Sequence, residues 1–348
     1  MTPRLIAVEA RPGPAFLDAL RRAWGDGDAV LPVDPRLPAP VAHALLDELG
    51  AGDPVESGDA LVVATSGTTG DPKGVVLTHE AVTAAATITS AAIGVDPERD
   101  RWLCKLPLSH MGGLGVVTRW LCTGTPVTFD TADPAATLTA AVPTQLERED
   151  HSRFRVVLVG GSADWRAERT ANVVRTYGLT ETGGGVVYDG FALPGVEMRI
   201  AADGEVLLRS PSLLRCYRDG TDPKDADGWL PTGDDGALDA GSGRLTVFGR
   251  RGDLIVTGGE KVWPEPVERV LRGVVGVADV AVIGRADPEW GQAVTAVVVP
   301  ADSSAPPDLV VLRAAVRAVL PAWSVPKALE LVDDLPRTSI GKLRRAAL

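Results

Sequence analysis

The chain has 348 residues, and its 35 Lys and Arg residues against 46 Asp and Glu residues give a net charge of −11 at pH 7. This length suggests two domains, or one large domain with an appendage. The 45% hydrophobic and 23% charged residues are typical of a globular protein. A pI near 4.9 argues against nucleic acids and anionic membranes as partners, because proteins that bind them present basic surfaces.

The cysteines and the chain start indicate the compartment. Cys104, Cys122 and Cys216 are far apart and form no CxxC pair, so the sequence indicates neither a disulfide framework nor a zinc site. The N-terminal stretch lacks the apolar run of a signal peptide, and no run of about 18 apolar residues predicts a spanning helix. We therefore expect a cytoplasmic protein in a reducing compartment.

Short apolar runs that alternate with helix-like stretches predict an α/β fold in the first two thirds of the chain. The predicted elements are strands at 61–64, 75–77, 154–159, 206–209 and 244–248 and a helix at about 78–92. The strands at 206–209 and 244–248 are short and separated by Gly-rich turns, so we expect them to be antiparallel.

The pattern of predicted strands and helices changes near residue 250. The predicted elements beyond this point are strands at 278–283 and 293–299, helices at 264–272 and 307–320, and a loop at 301–307. These elements suffice for a small α+β domain. We predict an N-terminal domain at 1–249, a hinge at 250–253 and a C-terminal domain at 254–348.

The segment from Thr65 to Gly74 joins two predicted strands and contains four hydroxyl side chains and three glycines. Backbone N–H groups in such a loop can approach an anion closely, and Lys73 adds positive charge. These features predict a phosphate-binding loop. It is not a Walker A loop, because Lys73 is followed by Gly74 and the glycine spacing differs. The alternative is a solvated turn.

This loop resembles the phosphate-binding signature of the adenylate-forming superfamily, which includes acyl-CoA synthetases and the adenylation domains of peptide synthetases. The resemblance implies a large N-terminal α/β domain of layered sheets and helices with a small mobile C-terminal α+β domain. Seven further motifs match in the same order, at 32–35 (PVDP), 106–110 (LPLSH), 177–182 (YGLTET), 232–234 (TGD), 249–253 (GRRGD), 258–262 (GGEKV) and 341–342 (GK).

The resemblance implies a site for ATP and Mg²⁺. Glu181 would bind Mg²⁺, which prefers oxygen ligands, and Thr180 would lie near the phosphates. Tyr177 would stack on the adenine. Asp234 would accept both ribose hydroxyls, and Arg250 would contact the ribose or the phosphates. The residues of the loop that would bind phosphate are Thr65, Ser66, Gly67, Thr68, Thr69, Gly70 and Lys73.

A glycine pair after the predicted strand at 154–159 completes the implied nucleotide site. By resemblance, Gly160, Gly161 and Ser162 would lie along the base and the acyl carbonyl. Ser162 is not the nucleophile of a G-x-S-x-G elbow, because the fifth position is Asp164. We therefore expect Ser162 to contact the ligand without attacking it.

Adenylation brings a carboxylate towards a polyphosphate, so positive charge is needed at the site. The resemblance assigns to Lys342 the contact between the substrate carboxylate and the α-phosphate. The alternative is a surface lysine in a basic tail that also contains Arg344 and Arg345. One lysine cannot serve both half-reactions without moving, so the small domain would rotate about Asp253. The residues that this rotation would bring to the site for CoA are Gly258, Gly259, Glu260 and Lys261.

The chain is compact, since only 67 residues separate His110 from Tyr177. In this it resembles the short o-succinylbenzoate–CoA ligases of menaquinone biosynthesis. By resemblance, His110 borders the acyl pocket and positions the substrate. That substrate has a second carboxylate, which needs a cationic partner when buried. Arg119 on a predicted helix is the candidate, and the alternative is an arginine that reaches water.

Several alternatives remain open at this point. The shortened region 143–164 contributes to the acyl pocket, so a related aryl or dicarboxylic acid could be the substrate. The acceptor is CoA or a separate carrier protein. A non-catalytic nucleotide-binding relative would be expected to lack Lys342, Glu181 or Asp234, and all three are present. The superfamily also suggests a possible homodimer.

Overall fold

The fold is described from a computed structural model, for residues 2–66, 72–160, 171–337 and 343–348. The helices of these residues are α1 (Pro14–Gly25), α2 (Ala39–Glu48), α3 (His79–Ala92), α4 (Met111–Thr123), α5 (Pro143–Arg148), α6 (Pro264–Leu271) and α7 (Leu309–Arg317). The strands are β1 (Leu5–Glu9), β2 (Ala29–Val33), β3 (Asp59–Ser66), β4 (Pro72–Thr78), β5 (Trp102–Leu103), β6 (Val127–Thr128), β7 (Leu138–Ala141), β8 (Val156–Val159), β9 (Val173–Leu179), β10 (Gly184–Tyr188), β11 (Phe191–Ala192), β12 (Glu197–Ile200), β13 (Glu205–Arg209), β14 (Cys216–Tyr217), β15 (Leu230–Leu238), β16 (Leu245–Arg250), β17 (Ile255–Thr257), β18 (Glu260–Val262), β19 (Val277–Asp287), β20 (Gly291–Pro300) and β21 (Ala328–Leu331).

The first sheet has the order β1-β2-β3-β4-β14. Strands β1, β2 and β3 are parallel, whereas β3 and β4 form an antiparallel hairpin. The predicted strands at 61–64 and 75–77 are confirmed within this hairpin. The helix predicted at 78–92 is also confirmed, and Thr78 caps it because its hydroxyl accepts a hydrogen bond of 3.1 Å from the N–H of Ala81.

The second sheet places the candidate site. Its order is β11-β10-β9-β8-β7-β5-β6, and β9, β8, β7, β5 and β6 are parallel. Parallel strands end at the same edge of a sheet, which is where ligands bind in open α/β folds. Gly160 directly follows β8, and the 3₁₀ turn Thr180–Thr182 directly follows β9. Gly160, which begins the predicted glycine pair, and the YGLTET motif at 177–182 therefore lie at the same edge of the sheet.

A third, antiparallel sheet has the order β12-β13-β15-β16. It contains the predicted strands at 206–209 and 244–248, with β15 between them. Residues Asp234 on β15 and Arg250 on β16 are directly paired in register, so the TGD and GRRGD motifs are neighbours.

The strands after residue 254 form a separate sheet of order β18-β17-β20-β19, with β21 parallel to β20. Helices α6 and α7 pack on it through a buried apolar cluster that includes Val267, Val282, Val298 and Leu312. The two strands and two helices predicted for this region are confirmed. Strands β17, β18 and β21 were not predicted. Within the described ranges, every helix is too short or too polar to traverse a lipid bilayer.

Candidate active site

The β3–β4 hairpin holds both ends of the predicted phosphate loop. Thr65 and Lys73 are paired across it, and Thr65 Oγ1 donates a hydrogen bond of 3.3 Å to the Lys73 carbonyl. Lys73 is exposed, and its ammonium lies 5.0 Å from the centre of the Tyr217 ring. Ser66 ends β3. The loop residues Gly67, Thr68, Thr69 and Gly70 lie outside the described residues.

Glu181 lies beside this hairpin. The hydroxyl of Tyr217 donates a hydrogen bond of 2.9 Å to Glu181 Oε1. Burial and the Glu181 charge both raise the pKa of Tyr217, so its hydroxyl stays protonated as a donor. The turn that carries Glu181 is fixed by the fully buried Thr182, whose hydroxyl accepts a bond of 2.8 Å from the Leu179 N–H. We refer to Lys73, Tyr217 and Glu181 as the phosphate-side cluster.

Sequence reasoning missed Tyr217. It lies on β14, a strand of two residues whose Tyr217 pairs with Val75 of β4. A strand this short has no periodicity that a sequence pattern could reveal. Its partner Glu181 is 36 residues away, so only the tertiary fold brings the two side chains together.

A second cluster forms around Asp234, which is 5% exposed. The Tyr177 hydroxyl donates to Asp234 Oδ2 over 2.8 Å, and Arg250 Nε lies 2.9 Å from Asp234 Oδ1. Gly233 adopts a left-handed φ of 72°, which sets the direction of the chain before Asp234. An ionised carboxylate can accept about four hydrogen bonds. We refer to Tyr177, Asp234 and Arg250 as the ribose-side cluster.

The chemistry of the ribose-side cluster follows from its burial. Burial and the Asp234 charge raise the pKa of Tyr177, so the phenol remains a neutral donor. Arg250 also donates from Nη1 to the Thr232 carbonyl over 2.9 Å, which orients its guanidinium. Both oxygens of Asp234 are therefore held in place by protein donors.

Gly160, which follows β8, lies against Thr176 of β9, the residue before Tyr177. A Cβ atom at Gly160 would lie 2.8 Å from Thr176 Oγ1, so a larger residue there would displace the Thr176 side chain. Gly161 and Ser162 lie outside the described residues.

The PVDP and LPLSH motifs meet although they are 75 residues apart. Ser109 Oγ donates to Asp34 Oδ2 over 3.4 Å. The Arg36 guanidinium donates to Asp34 over 2.9 Å and 2.6 Å, and the Arg36 backbone N–H donates over 2.9 Å. Arg36 lowers the pKa of that carboxyl to about 2. His110 precedes α4, and its Nε2 is buried without a hydrogen-bond partner among the described residues. Burial lowers the pKa of His110, which favours the neutral imidazole.

Arg119 on α4 is 8% exposed, so it does not reach water as the alternative required. Within the described part of the chain, no carboxylate pairs with it and its Nε has no hydrogen-bond partner. Its guanidinium carbon lies 5.1 Å from the centre of the Trp102 ring. Burial lowers the pKa of Arg119. Burying a cation without a counter-charge costs free energy, so this arrangement indicates a binding site for an anion.

The predicted hinge lies beside the chain's C-terminal segment. Asp253 ends the 3₁₀ turn Arg251–Asp253, and its Oδ2 lies 2.9 Å from Arg345 Nη1. Arg345 Nη2 also contacts both carboxylate oxygens of Glu268, at 2.8 Å and 2.9 Å. Arg345 is therefore anchored and is not part of a solvated basic tail. Lys342 lies outside the described residues.

The GGEKV motif forms the tight hairpin between β17 and β18. Gly258 and Gly259 have left-handed φ values of 60° and 85°, as a two-residue turn requires. A Cβ atom at Gly258 would also lie 2.8 Å from Trp290. Glu260 and Lys261 are exposed.

Comparisons with known proteins agree with this architecture. The chain matches the family model described as AMP-binding enzyme over residues 47–218, and the model described as AMP-binding enzyme C-terminal domain over 266–342. It is 38% identical to a probable 2-succinylbenzoate–CoA ligase of Mycobacterium tuberculosis, over 96% of this chain and 94% of the relative. It is 34% identical to a 2-succinylbenzoate–CoA ligase of Listeria monocytogenes, over 83% of this chain and 69% of the relative.

A solved structure has a similar fold. It is the o-succinylbenzoate CoA synthetase of Bacillus subtilis in complex with the acyl-adenylate intermediate OSB-AMP, with a TM-score of 0.86 and 25% identity, covering 99% of this chain and 88% of that chain. The predicted fold of a large α/β part with layered sheets and a small C-terminal α+β part is confirmed. These matches span nearly the whole sequence, and the chain belongs to the AMP-binding enzyme family.

Proposed function

We propose that this chain is an AMP-forming acid–thiol ligase that adenylates 2-succinylbenzoate with ATP and transfers the acyl group to CoA. Relatives with that name at 34% and 38% identity support the proposal. The observation that carries it is the meeting of the two clusters at the end of β9, where Tyr177 and Glu181 lie four residues apart. A related aryl or dicarboxylic acid–CoA ligase is the alternative.

In the proposed ATP complex, Asp234 accepts hydrogen bonds from the ribose hydroxyls. Tyr177 and Arg250 hold the carboxylate in one orientation before ATP binds, which reduces the ordering cost of binding. Tyr177 packs against the adenine. Gly160, Gly161 and Ser162 lie along the base and the acyl carbonyl.

The phosphates bind at the phosphate-side cluster. The backbone N–H groups of the loop residues 65–70 and the ammonium of Lys73 offset the negative charge of the polyphosphate. Thr180 adds a hydroxyl beside Glu181. Lys73 is exposed, so its ammonium can move from the Tyr217 ring to a phosphate.

Glu181 fits the role of a Mg²⁺ ligand. Tyr217 bonds to only one of its oxygens, and Mg²⁺ is usually held by one or two carboxylates together with substrate phosphates. Among the residues that the structure describes, no group of three or more His, Cys, Asp or Glu side chains could hold a metal without the nucleotide. Bound with ATP, Mg²⁺ would supply charge stabilisation as pyrophosphate leaves.

The reaction has two half-reactions. In the first, a carboxylate oxygen of the acid attacks the α-phosphorus of ATP, and the bond to pyrophosphate breaks. We assign to Lys342 the stabilisation of negative charge at the carboxylate and the α-phosphate. In the second, the CoA sulfur attacks the acyl carbonyl, and the bond to AMP breaks.

The acid binds next to α4. His110, whose Nε2 has no hydrogen-bond partner among the described residues, positions the acyl group. Arg119 pairs with the ring carboxylate of 2-succinylbenzoate, because a bound carboxylate supplies the counter-charge that this buried guanidinium lacks among the described residues. Truncating either side chain should therefore weaken acid binding more than ATP binding.

We further infer that residues 1–249 and 254–348 are separate domains joined by a hinge at 250–253. The break between sheets at residues 250 and 255 supports this division. The small domain rotates about Asp253 after adenylation, because a hinge can absorb large changes at a few residues. The rotation replaces Lys342 with the turn at Gly258, Gly259, Glu260 and Lys261, along which CoA approaches.

A coupled pyrophosphate assay tests the function. Aromatic and dicarboxylic acids are supplied with ATP and Mg²⁺, with and without CoA, and products are identified by mass spectrometry. We expect pyrophosphate release with 2-succinylbenzoate and a thioester when CoA is present. If another acid turns over instead, the substrate assignment is wrong and the reaction class stands. An AMP-linked product without thioester would point to a carrier protein.

Variants separate catalysis from mere nucleotide binding. Glu181→Gln and Lys342→Ala should each lower acid-dependent pyrophosphate release by at least tenfold. The control Glu98→Gln changes an exposed glutamate and should leave the rate unchanged. Absence of acid-dependent pyrophosphate release from the wild type would indicate a nucleotide-binding protein without synthetase activity.

The expected homodimer and cytoplasmic location stay predictions. Sedimentation at micromolar concentration tests the first, and fractionation of the native cells tests the second.

A further inference from the structure

The guanidinium of Arg119 lies next to a second buried donor without a partner. The indole N–H of Trp102, which is 0% exposed, has no hydrogen-bond acceptor in the described ranges, and neither has Arg119 Nε. Buried donors are nearly always satisfied in folded proteins. Two adjacent exceptions, one of them cationic, indicate that an anionic acceptor binds between α4 and β5.

Gly115 borders this guanidinium. It lies four residues before Arg119, which places both on the same face of α4, and long side chains in helices lean back towards the N-terminus. A Cβ atom at Gly115 would lie 3.7 Å from both Nη1 and Nη2 of Arg119. Its third neighbour, at 3.9 Å, is Arg119 Cζ. A methyl group at this position would therefore lie in van der Waals contact with both terminal nitrogens.

Packing does not explain this glycine. Glycine in the interior of a helix is less stable than alanine. The distances of 3.7 Å are ordinary van der Waals contacts, which an alanine at this position would tolerate. Gly113 on the same helix differs, because a Cβ there would overlap the carbonyl oxygen of Leu106. Close packing thus accounts for Gly113 and leaves Gly115 without a structural reason.

We propose that Gly115 is a specificity-determining residue, whose missing side chain lets the second carboxylate of an aromatic dicarboxylic acid reach the terminal nitrogens of Arg119. This inference rests on the proposed function and adds a determinant to its acid site. The guanidinium presents two parallel N–H donors to a carboxylate, and a methyl group at position 115 occupies the side from which that carboxylate approaches.

The test compares two acids in wild type and Gly115→Ala. One is 2-succinylbenzoate, and the other is 4-oxo-4-phenylbutanoate, which lacks the ring carboxylate. The variant should lower kcat/KM for the diacid by at least tenfold and for the monoacid by less than twofold. Its melting temperature should equal or exceed that of the wild type, since alanine favours the helix. The melting curve shows that the variant folds.

Gly112→Ala is the matched control. Its Cβ would face Leu106 Cδ1 and not the guanidinium, so it should change kcat/KM for both acids by the same factor. A Gly115→Ala variant that affects both acids equally, or keeps the diacid within twofold of wild type, overturns the proposal.

If the proposed substrate is wrong, the result differs from a failure of the Gly115 proposal, because the wild type would then activate neither of the two acids. The Gly115 proposal is in that case judged on the acid of the panel that the wild type accepts, compared with an analogue lacking its second carboxylate. It is overturned if the accepted acid has no second carboxylate, and supported if Gly115→Ala discriminates against the acid that has one.

Discussion

Arg345 and Asp253, 92 residues apart in the sequence, are joined by an ion pair of 2.9 Å between Nη1 and Oδ2. Asp253 is the proposed centre of the domain rotation, and Arg345 follows Lys342 by three residues. The pair therefore connects the proposed hinge to the segment that carries the proposed catalytic lysine. Glu268, whose side chain is 2% exposed, accepts from the same guanidinium.

Arg345→Ala should destabilise the protein by about 2 kcal/mol, because it removes charge-assisted hydrogen bonds from the buried Glu268 carboxylate. Glu268 keeps its 3.2 Å ion pair with Arg272, which limits the loss. The control is Arg344→Ala, which changes the exposed neighbour and should cost less than about 0.5 kcal/mol. Thermal unfolding of both variants checks the difference. Equal stability of the two would mean that Arg345 does not anchor the segment.

Tyr217→Phe should lower kcat/KM for ATP. It removes the hydroxyl that donates to Glu181 and keeps the ring beside Lys73. Hydrogen bonds to charged groups contribute about 1.5–3 kcal/mol, so we expect kcat/KM for ATP to fall by about tenfold in ATP–pyrophosphate exchange at saturating acid.

Tyr188→Phe is the control for this prediction, because the Tyr188 hydroxyl bonds to Thr89, away from Glu181. It should leave kcat/KM for ATP within about threefold of wild type, since it removes no contact of the phosphate-side cluster. If Tyr217→Phe behaves like this control, the hydroxyl has no part in placing Glu181.

Asp34→Asn should remove a pH-dependent part of the stability. Arg36 lowers the pKa of Asp34 from 3.8 to about 2, so the ionised carboxylate stabilises the fold by about 2 kcal/mol above pH 4. Because the folded state has the lower pKa, this contribution is complete at neutral pH and is lost as the pH falls from about 4 to about 2.

Urea unfolding at pH 7 and pH 3 measures this effect. The difference between wild type and Asp34→Asn should shrink at pH 3, whereas Asp18→Asn, which changes an exposed carboxylate on α1, should differ little from wild type at either pH. A difference that does not change with pH would contradict the stabilisation of Asp34 by Arg36.

Local sequence signals predicted the regular elements well where burial and capping coincide. Residues 61–63 of the apolar run are buried in β3, and Thr78 ends β4 and caps α3. The predicted strand boundaries differ from the observed ones where a turn adjoins the strand. The strand predicted at 154–159 begins only at Val156, because Phe154 belongs to a turn in which its N–H donates to the His151 carbonyl. The three-residue strand β17 could not be predicted, because such strands depend on pairing with neighbours.

The candidate site was predicted where motifs contain the functional residue itself. Tyr177, Asp234 and Arg250 are brought together, because strand register pairs Asp234 with Arg250 and β9 places Tyr177 beside them. Tyr217 and Arg345 were not assigned a role. Their partners Glu181 and Asp253 lie 36 and 92 residues away, and no local pattern encodes contacts over such separations.

Asp253→Pro should separate the two half-reactions. Proline fixes φ near −65°, which restricts the rotation at the proposed hinge while leaving the nucleotide clusters untouched. We expect ATP–pyrophosphate exchange within about threefold of wild type and a thioester rate at least tenfold lower, because only the second half-reaction requires the rotation.

The ion pair with Arg345 is also lost in Asp253→Pro, so the matched control is Asp253→Ala, which removes the same carboxylate and keeps backbone freedom. If the alanine variant forms thioester at close to the wild-type rate while the proline variant does not, the defect lies in the backbone rotation. If both variants lose thioester formation equally, the carboxylate and its pair with Arg345 account for the loss. If proline slows both half-reactions alike, residue 253 is not the hinge.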